Sequence, residues 1–97
     1  MASTAPTEPL RVVLFQEGSA WVSQCVDLDL NGQGSNIHEA IRSLTRIFEA
    51  RAWLNETRGS IQIRPAPFQF GEMFRNALPL KEPTRILTMA AQFSVYA

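Results

Sequence analysis

The feature that most constrains this chain is a change of hydrophobic period inside one stretch, residues 21–48 (WVSQCVDLDLNGQGSNIHEAIRSLTRIF). In its first part side chains alternate: Trp21, Ser23 and Cys25 share one face, Val22, Gln24 and Val26 the other, as on a strand. In its last part the period is helical. Ile37, Ala40, Ile41, Leu44, Ile47 and Phe48 gather, at 100° per residue, into an arc of about 140°. His38, Glu39, Arg42, Ser43, Arg46 and Glu49 cover the rest. The stretch therefore reads as a strand that becomes a helix at Gly34.

The junction carries its own signals. Gly34 tolerates a positive φ in the turn, and Asn36 stands three residues before Glu39, a capping-box spacing with Asn in place of Ser or Thr. Asn36 and Glu39 are thus the predicted helix cap, with Ser35 as the alternative N-cap. The helix should run over 36–58, lying across a sheet with Ala40 at the close approach. Past Ala50 the pattern breaks: Arg51 would project into the apolar arc and Trp53 from the polar face. Either the helix kinks there, or it runs beyond the sheet toward Gly59, a good C′ residue.

Around this core the chain falls into order. Residues 1–9 are small, polar and proline-bearing, the composition of a mobile tail. Residues 10–16 alternate with both faces apolar, as in a central strand. A turn at Glu17-Gly18-Ser19 returns the chain over 20–26 as a hairpin. A third strand is expected over 28–33, where Gly32 either makes room for a neighbouring helix or marks a bulge. Residues 60–64 suit a fourth strand reached by a crossover, ended by Pro65 and Pro67. From Phe68 the period is helical again, with Phe70, Met73, Phe74, Ala77 and Leu78 on one side until Pro79. Core packing is the default for this short helix; docking on another chain is the sharper alternative. Residues 86–96 then alternate, with Leu87, Met89, Ala91, Phe93 and Val95 on one face. The expected fold is α+β: an antiparallel three- to four-stranded sheet packed against one main helix (β-β-β-α-β), with a short second helix and a long C-terminal strand, all in one domain over 10–97.

The run Trp21-Val22-x-Gln24-Cys25-x-Asp27, followed by Gly34 and by Glu39-Ala40 opening a helix, resembles the HicB-like antitoxin domain, in particular its short stand-alone members. The resemblance spans residues 10–59 and implies a small β-β-β-α-β unit, a partial ribonuclease-H-like fold. Full HicB antitoxins bind the HicA toxin, a small RNA-cleaving protein, and many repress their own operon through an added DNA-binding segment. The resemblance accordingly implies a non-catalytic protein-interaction domain, antitoxin-like or an orphan, with a small toxin protein as one conceivable partner. Residues 60–97 end in a strand rather than a helix pair, so DNA binding is not expected.

Composition narrows the chemistry. Nine basic residues balance nine acidic ones, so no long-range field draws the chain to nucleic acid or an anionic membrane. Cys25, the single cysteine, excludes an intrachain disulfide and suits a reducing cytoplasm. No apolar run reaches the roughly 20 residues of a membrane span. Two-metal nuclease chemistry needs converging carboxylates; Asp27, Asp29 and Glu39 are present, but no acid lies on 10–16. Lone His38 and Cys25 make no metal set. No enzyme activity, metal or cofactor is therefore expected. Arg42 and Arg46 form an i,i+4 pair on the exposed helix face, the basis of an alternative reading as a small RNA-binding module, though Glu39 and Glu49 flank them. The predicted interface comprises Trp53, Phe70, Phe74, Leu87, Met89, Phe93 and Val95. It is argued from a strand over 86–96 that overhangs its neighbours and recruits a second copy, giving a homodimer or higher oligomer. The competing expectation is that the strand bends at Ala90-Ala91 and pairs within its own subunit.

Overall fold

The computed structural model describes residues 8–58 and 64–97. Along these the elements are β1 (Leu10–Glu17), β2 (Ala20–Cys25), β3 (Asn31–Gly34), α1 (Ile37–Arg58), α2 (Phe68–Arg75), β4 (Leu78–Pro79), β5 (Arg85–Ile86) and β6 (Met89–Val95). The strands form an α+β mixed sheet in the order β3-β2-β1-β6-β4, with β5 paired to β6. The tight turn between β1 and β2 has Gly18 at φ +64°, and the meander β1-β2-β3 is antiparallel, as its alternation implies. The expected antiparallel pattern changes at one place: β6 lies parallel to β1, Val12 beside Phe93. A parallel neighbour needs a crossover, and the chain from α1 onward supplies it.

Strand parity divides the side chains between two faces. Val12, Leu14, Cys25, Ala91 and Phe93 form the core with Ala40, Leu44 and Phe48 of α1 and Ile86 of β5. On the opposite face Val13 and Val22 are buried, and α2 covers that side, with Phe70 stacked on Phe15 at 5.9 Å between ring centroids. The expectation that both faces of the first strand are covered thus holds, and the short helix packs on its own sheet. It ends at Arg75, short of the predicted Leu78, because Asn76 caps it through backbone bonds to Glu72 and Met73 and a side-chain bond to the Glu72 carbonyl. Leu78–Pro79 then pair with Val95 and Ser94 at the sheet edge, where proline's missing N–H does no harm.

Other expectations are corrected, decided between alternatives, or lie elsewhere. The third strand begins at Asn31, not at 28, because the preceding residues are bound to other parts of the chain. Val26 N–H donates to Arg11 C=O, Asp29 N–H to Arg64 C=O, and Leu30 N–H closes a tight turn onto Leu28 C=O. Gly34 does not have a positive φ; it is required because a Cβ there would lie 2.5 Å from Glu39 Cβ and 2.7 Å from Ala40 N. Gly32 makes room for α1 and is not a bulge: a Cβ would fall on the backbone N of Leu44 and 2.9 Å from Ala40 O. The long strand over 86–96 is a hairpin instead, Ile86 pairing with Met89 around Leu87-Thr88. Alternation alone does not reveal this turn, because Leu87 adopts φ +57°, a conformation leucine rarely takes. Of the strand expected over 60–64, Arg64 is described and is not in a strand, while residues 60–63, the C′ role of Gly59 and most of the tail over 1–9 lie outside the described residues.

Candidate interaction site

The start of α1 is fixed as its sequence implies. Glu39 N–H donates to Asn36 Oδ1 at 2.8 Å, the bond of an Asn N-cap. The reciprocal arm of the box is displaced by one residue: Glu39 Oε1 accepts from Ser35 N–H and from the Ser35 hydroxyl, at 3.0 and 2.7 Å. These bonds, the hydroxyl's first, hold the Glu39 carboxyl below its ordinary range. Buried Ser23 adds a tie from strand to helix, its hydroxyl donating to Ala40 C=O at 2.6 Å.

From this anchored end α1 runs unbroken for 22 residues, about 33 Å at 1.5 Å per residue. Only Ala40, Leu44 and Phe48 of it are buried. Of the two expectations for the break in pattern after Ala50, the second is the one met: the helix continues to Arg58 and runs on past the sheet. Trp53 is 59% exposed on this overhang.

Beneath the overhang lies a half-open cleft of about 520 Å³. One wall is the stripe Phe48, Arg51, Ala52 and Asn55, spaced i, i+3, i+4, i+7 along one side of the helix. Leu28, Asp29 and Leu30 of the β2–β3 connection face it, with Leu87 and Met89 of the β5–β6 hairpin and Arg64 completing the lining. The connection is held in place by Cys25 N–H to Leu30 C=O and by the side chain of buried Gln24, which donates to Asp29 Oδ1 at 3.0 Å. Among the described residues, neither Arg51 nor Arg64 forms an ion pair.

The predicted interface residues do not form one surface. Trp53 is exposed, Leu87 sits on the hairpin turn at 38% exposure, and half-buried Met89 lines the cleft beside it. Phe93 is withdrawn from any interface: it is fully buried next to Val12. Val95 packs on the same core beside Leu14. Phe70 and Phe74 are half-buried on the opposite side of the sheet from α1. The sequence does not single out the cleft's polar lining, although Arg51 carries a signal. An arginine breaking into the apolar arc of an amphipathic helix marks a point where the helix leaves its core.

Of the RNA-contact candidates, Arg42 and Arg46 are both exposed. Arg42 is bonded to His38 Nε2 at 3.2 Å, and it flanks a shallow depression shared with Arg85 and Glu82. Neither glutamate flanking the pair forms an ion pair with it among the described residues.

The acids are engaged in holding the fold. Asp27 receives Arg11 twice on Oδ1, from Nε at 3.1 Å and Nη2 at 2.7 Å, and accepts Arg11 N–H on Oδ2 at 2.8 Å. Burial pushes the Asp27 carboxyl upward, but the Arg11 bonds and charge outweigh it and hold it below its ordinary value. Burial pushes the Cys25 thiol up, away from the reactive thiolate. Among the described residues no group of three or more His, Cys, Asp or Glu side chains is placed to hold a metal ion. Nor is any helix among them long and apolar enough to cross a membrane. Compared with family models, curated proteins and solved structures, the chain matches none.

Proposed function

We propose that this chain is a non-catalytic, HicB-like protein-interaction domain that acts in the cytoplasm and docks a protein through the overhanging half of α1. The observation that carries this reading is the overhang itself: ten residues of helix beyond Phe48 contribute nothing buried, yet they present Trp53. Tryptophan is enriched at interface hot spots, and an unburied helix half gains stability when a partner covers it. The first partner is a second copy of the chain, which a two-fold axis would seat helix against helix; a small toxin protein is the second. The order β1-β2-β3-α1, closing on a strand beside β1, supports the HicB-like assignment. A lone buried thiol suits a reducing compartment.

The test is capture from native extract on immobilised full-length protein, with and without ribonuclease, using wild type and Trp53→Glu. The proposal expects a stoichiometric protein, either the chain itself or a small partner, retained by wild type, lost in Trp53→Glu and indifferent to ribonuclease. Retention of RNA, lost at moderate salt and in Arg42→Gln/Arg46→Gln, would replace it with the RNA-binding alternative.

A further inference from the structure

We infer that the cleft beneath α1 is a binding site for a small monocarboxylate with an apolar body, a site separate from the exposed Trp53 surface. Its volume of about 520 Å³ falls within the roughly 300–1,000 Å³ typical of small-molecule pockets. The chemistry of the lining then divides in two. Leu28, Leu30, Phe48, Leu87 and Met89 supply an apolar body site, while Arg51 and Arg64 bring guanidinium groups that have no ion pair among the described residues. Guanidinium presents paired N–H donors that match a carboxylate in a fork, the strongest common form of charge-assisted recognition.

Charge count favours a monoanion. The lining holds two arginines and one acid, Asp29, a net of one positive charge, which a carboxylate balances and a phosphate dianion exceeds. Asp29 is also turned to the Gln24 amide, so it is held in place rather than free to neutralise both arginines. A second, independent feature points to the same spot. Leu87, on the cleft's edge, holds φ +57°, and non-glycine residues kept in that region concentrate at ligand clamps and switches. The turn carries a leucine where glycine would be relaxed, and that leucine is one of the residues lining the cleft.

The experiment uses the full chain and octanoate as probe, with octylammonium and octyl phosphate as charge controls. Binding is read by titration calorimetry and by amide chemical-shift mapping. The site predicts that octanoate binds and shifts the amides of Leu30, Phe48, Leu87 and Met89. It also predicts that octylammonium does not bind, that octyl phosphate binds more weakly, and that Arg51→Gln or Arg64→Gln each weakens octanoate about tenfold. Arg64 is exposed and Arg51 half-buried, neither in the core, so these variants keep the fold, and unchanged shifts elsewhere verify it. Equal binding of octylammonium, tighter binding of octyl phosphate, wild-type affinity in Arg51→Gln/Arg64→Gln, or shifts confined to other surfaces would each overturn the proposal. Trp53→Glu leaves octanoate binding intact if the two sites are separate, so failure of the docking surface is distinguishable from failure of this one.

Discussion

At the scale of single residues, three side chains make separable predictions. Asn36→Ala removes the acceptor for Glu39 N–H and should destabilise the domain by about 1 kcal/mol, read as a lower denaturant midpoint at unchanged slope; an unchanged midpoint would remove the cap from the account. Asp27→Asn breaks a charge-assisted pair that is partly open to solvent, so its cost at neutral pH should be about 1 kcal/mol. The sign of its pH dependence follows from the lowered carboxyl. Stabilisation is complete above the unfolded-state value of about 4 and disappears as pH falls through the lower folded value. The gap between wild type and Asp27→Asn should therefore close in acid, and a gap that widened there would contradict the pairing. Cys25 is fully buried and its thiol is raised, so native protein should react with a thiol reagent only at the rate at which it opens. Stoichiometric labelling within the mixing time would show an accessible thiolate.

At the scale of elements, the tightest constraint is the passage of β3 under α1. Gly32→Ala places a methyl group on helix backbone that has no side-chain freedom to yield, and a loss on the order of 3 kcal/mol is expected by chemical denaturation. A cost under about 1 kcal/mol would mean the helix is not seated there. The β5–β6 turn works in the opposite direction. Leu87→Gly relieves a left-handed leucine, which costs roughly 1–2 kcal/mol, against a smaller entropic penalty for glycine, so a net gain of about 0.5–1 kcal/mol is predicted in the melting curve. These two sites also show what the sequence makes legible. The period change over 21–48 specifies the strand, the cap and the buried stripe of α1, because each depends on residues close in sequence. The parallel pairing of β1 with β6 depends on strands far apart in the chain, and both are apolar enough to suit either direction. The hairpin at Leu87 is hidden for another reason: its residues alternate like a strand, and no glycine or asparagine marks the turn. The cleft assembles residues 28–30, 48, 51, 52, 55, 64, 87 and 89, and of these only Arg51 departs visibly from its local pattern.

At the scale of the whole molecule, α1 carries ten residues beyond its last buried position, Phe48. The overhang of α1 is the clearest source of surplus surface. Oligomerisation through an overhanging C-terminal strand has no support in this arrangement, since β6 is flanked by β1 and β4 and pairs with β5 inside one chain. The edges are guarded as well: Gln33 N–H on β3 is turned to the Ser43 hydroxyl, and β4 ends in Pro79. The self-association proposed above therefore runs through a helix face, with exposed Trp53 at its centre. The direct measurement is multi-angle light scattering of purified wild type beside Trp53→Glu across the micromolar range. A wild-type mass of twice the chain, falling to a single chain in Trp53→Glu, is the predicted result; a wild type that stays monomeric throughout, or a dimer that ignores the substitution, would contradict self-association through the overhang.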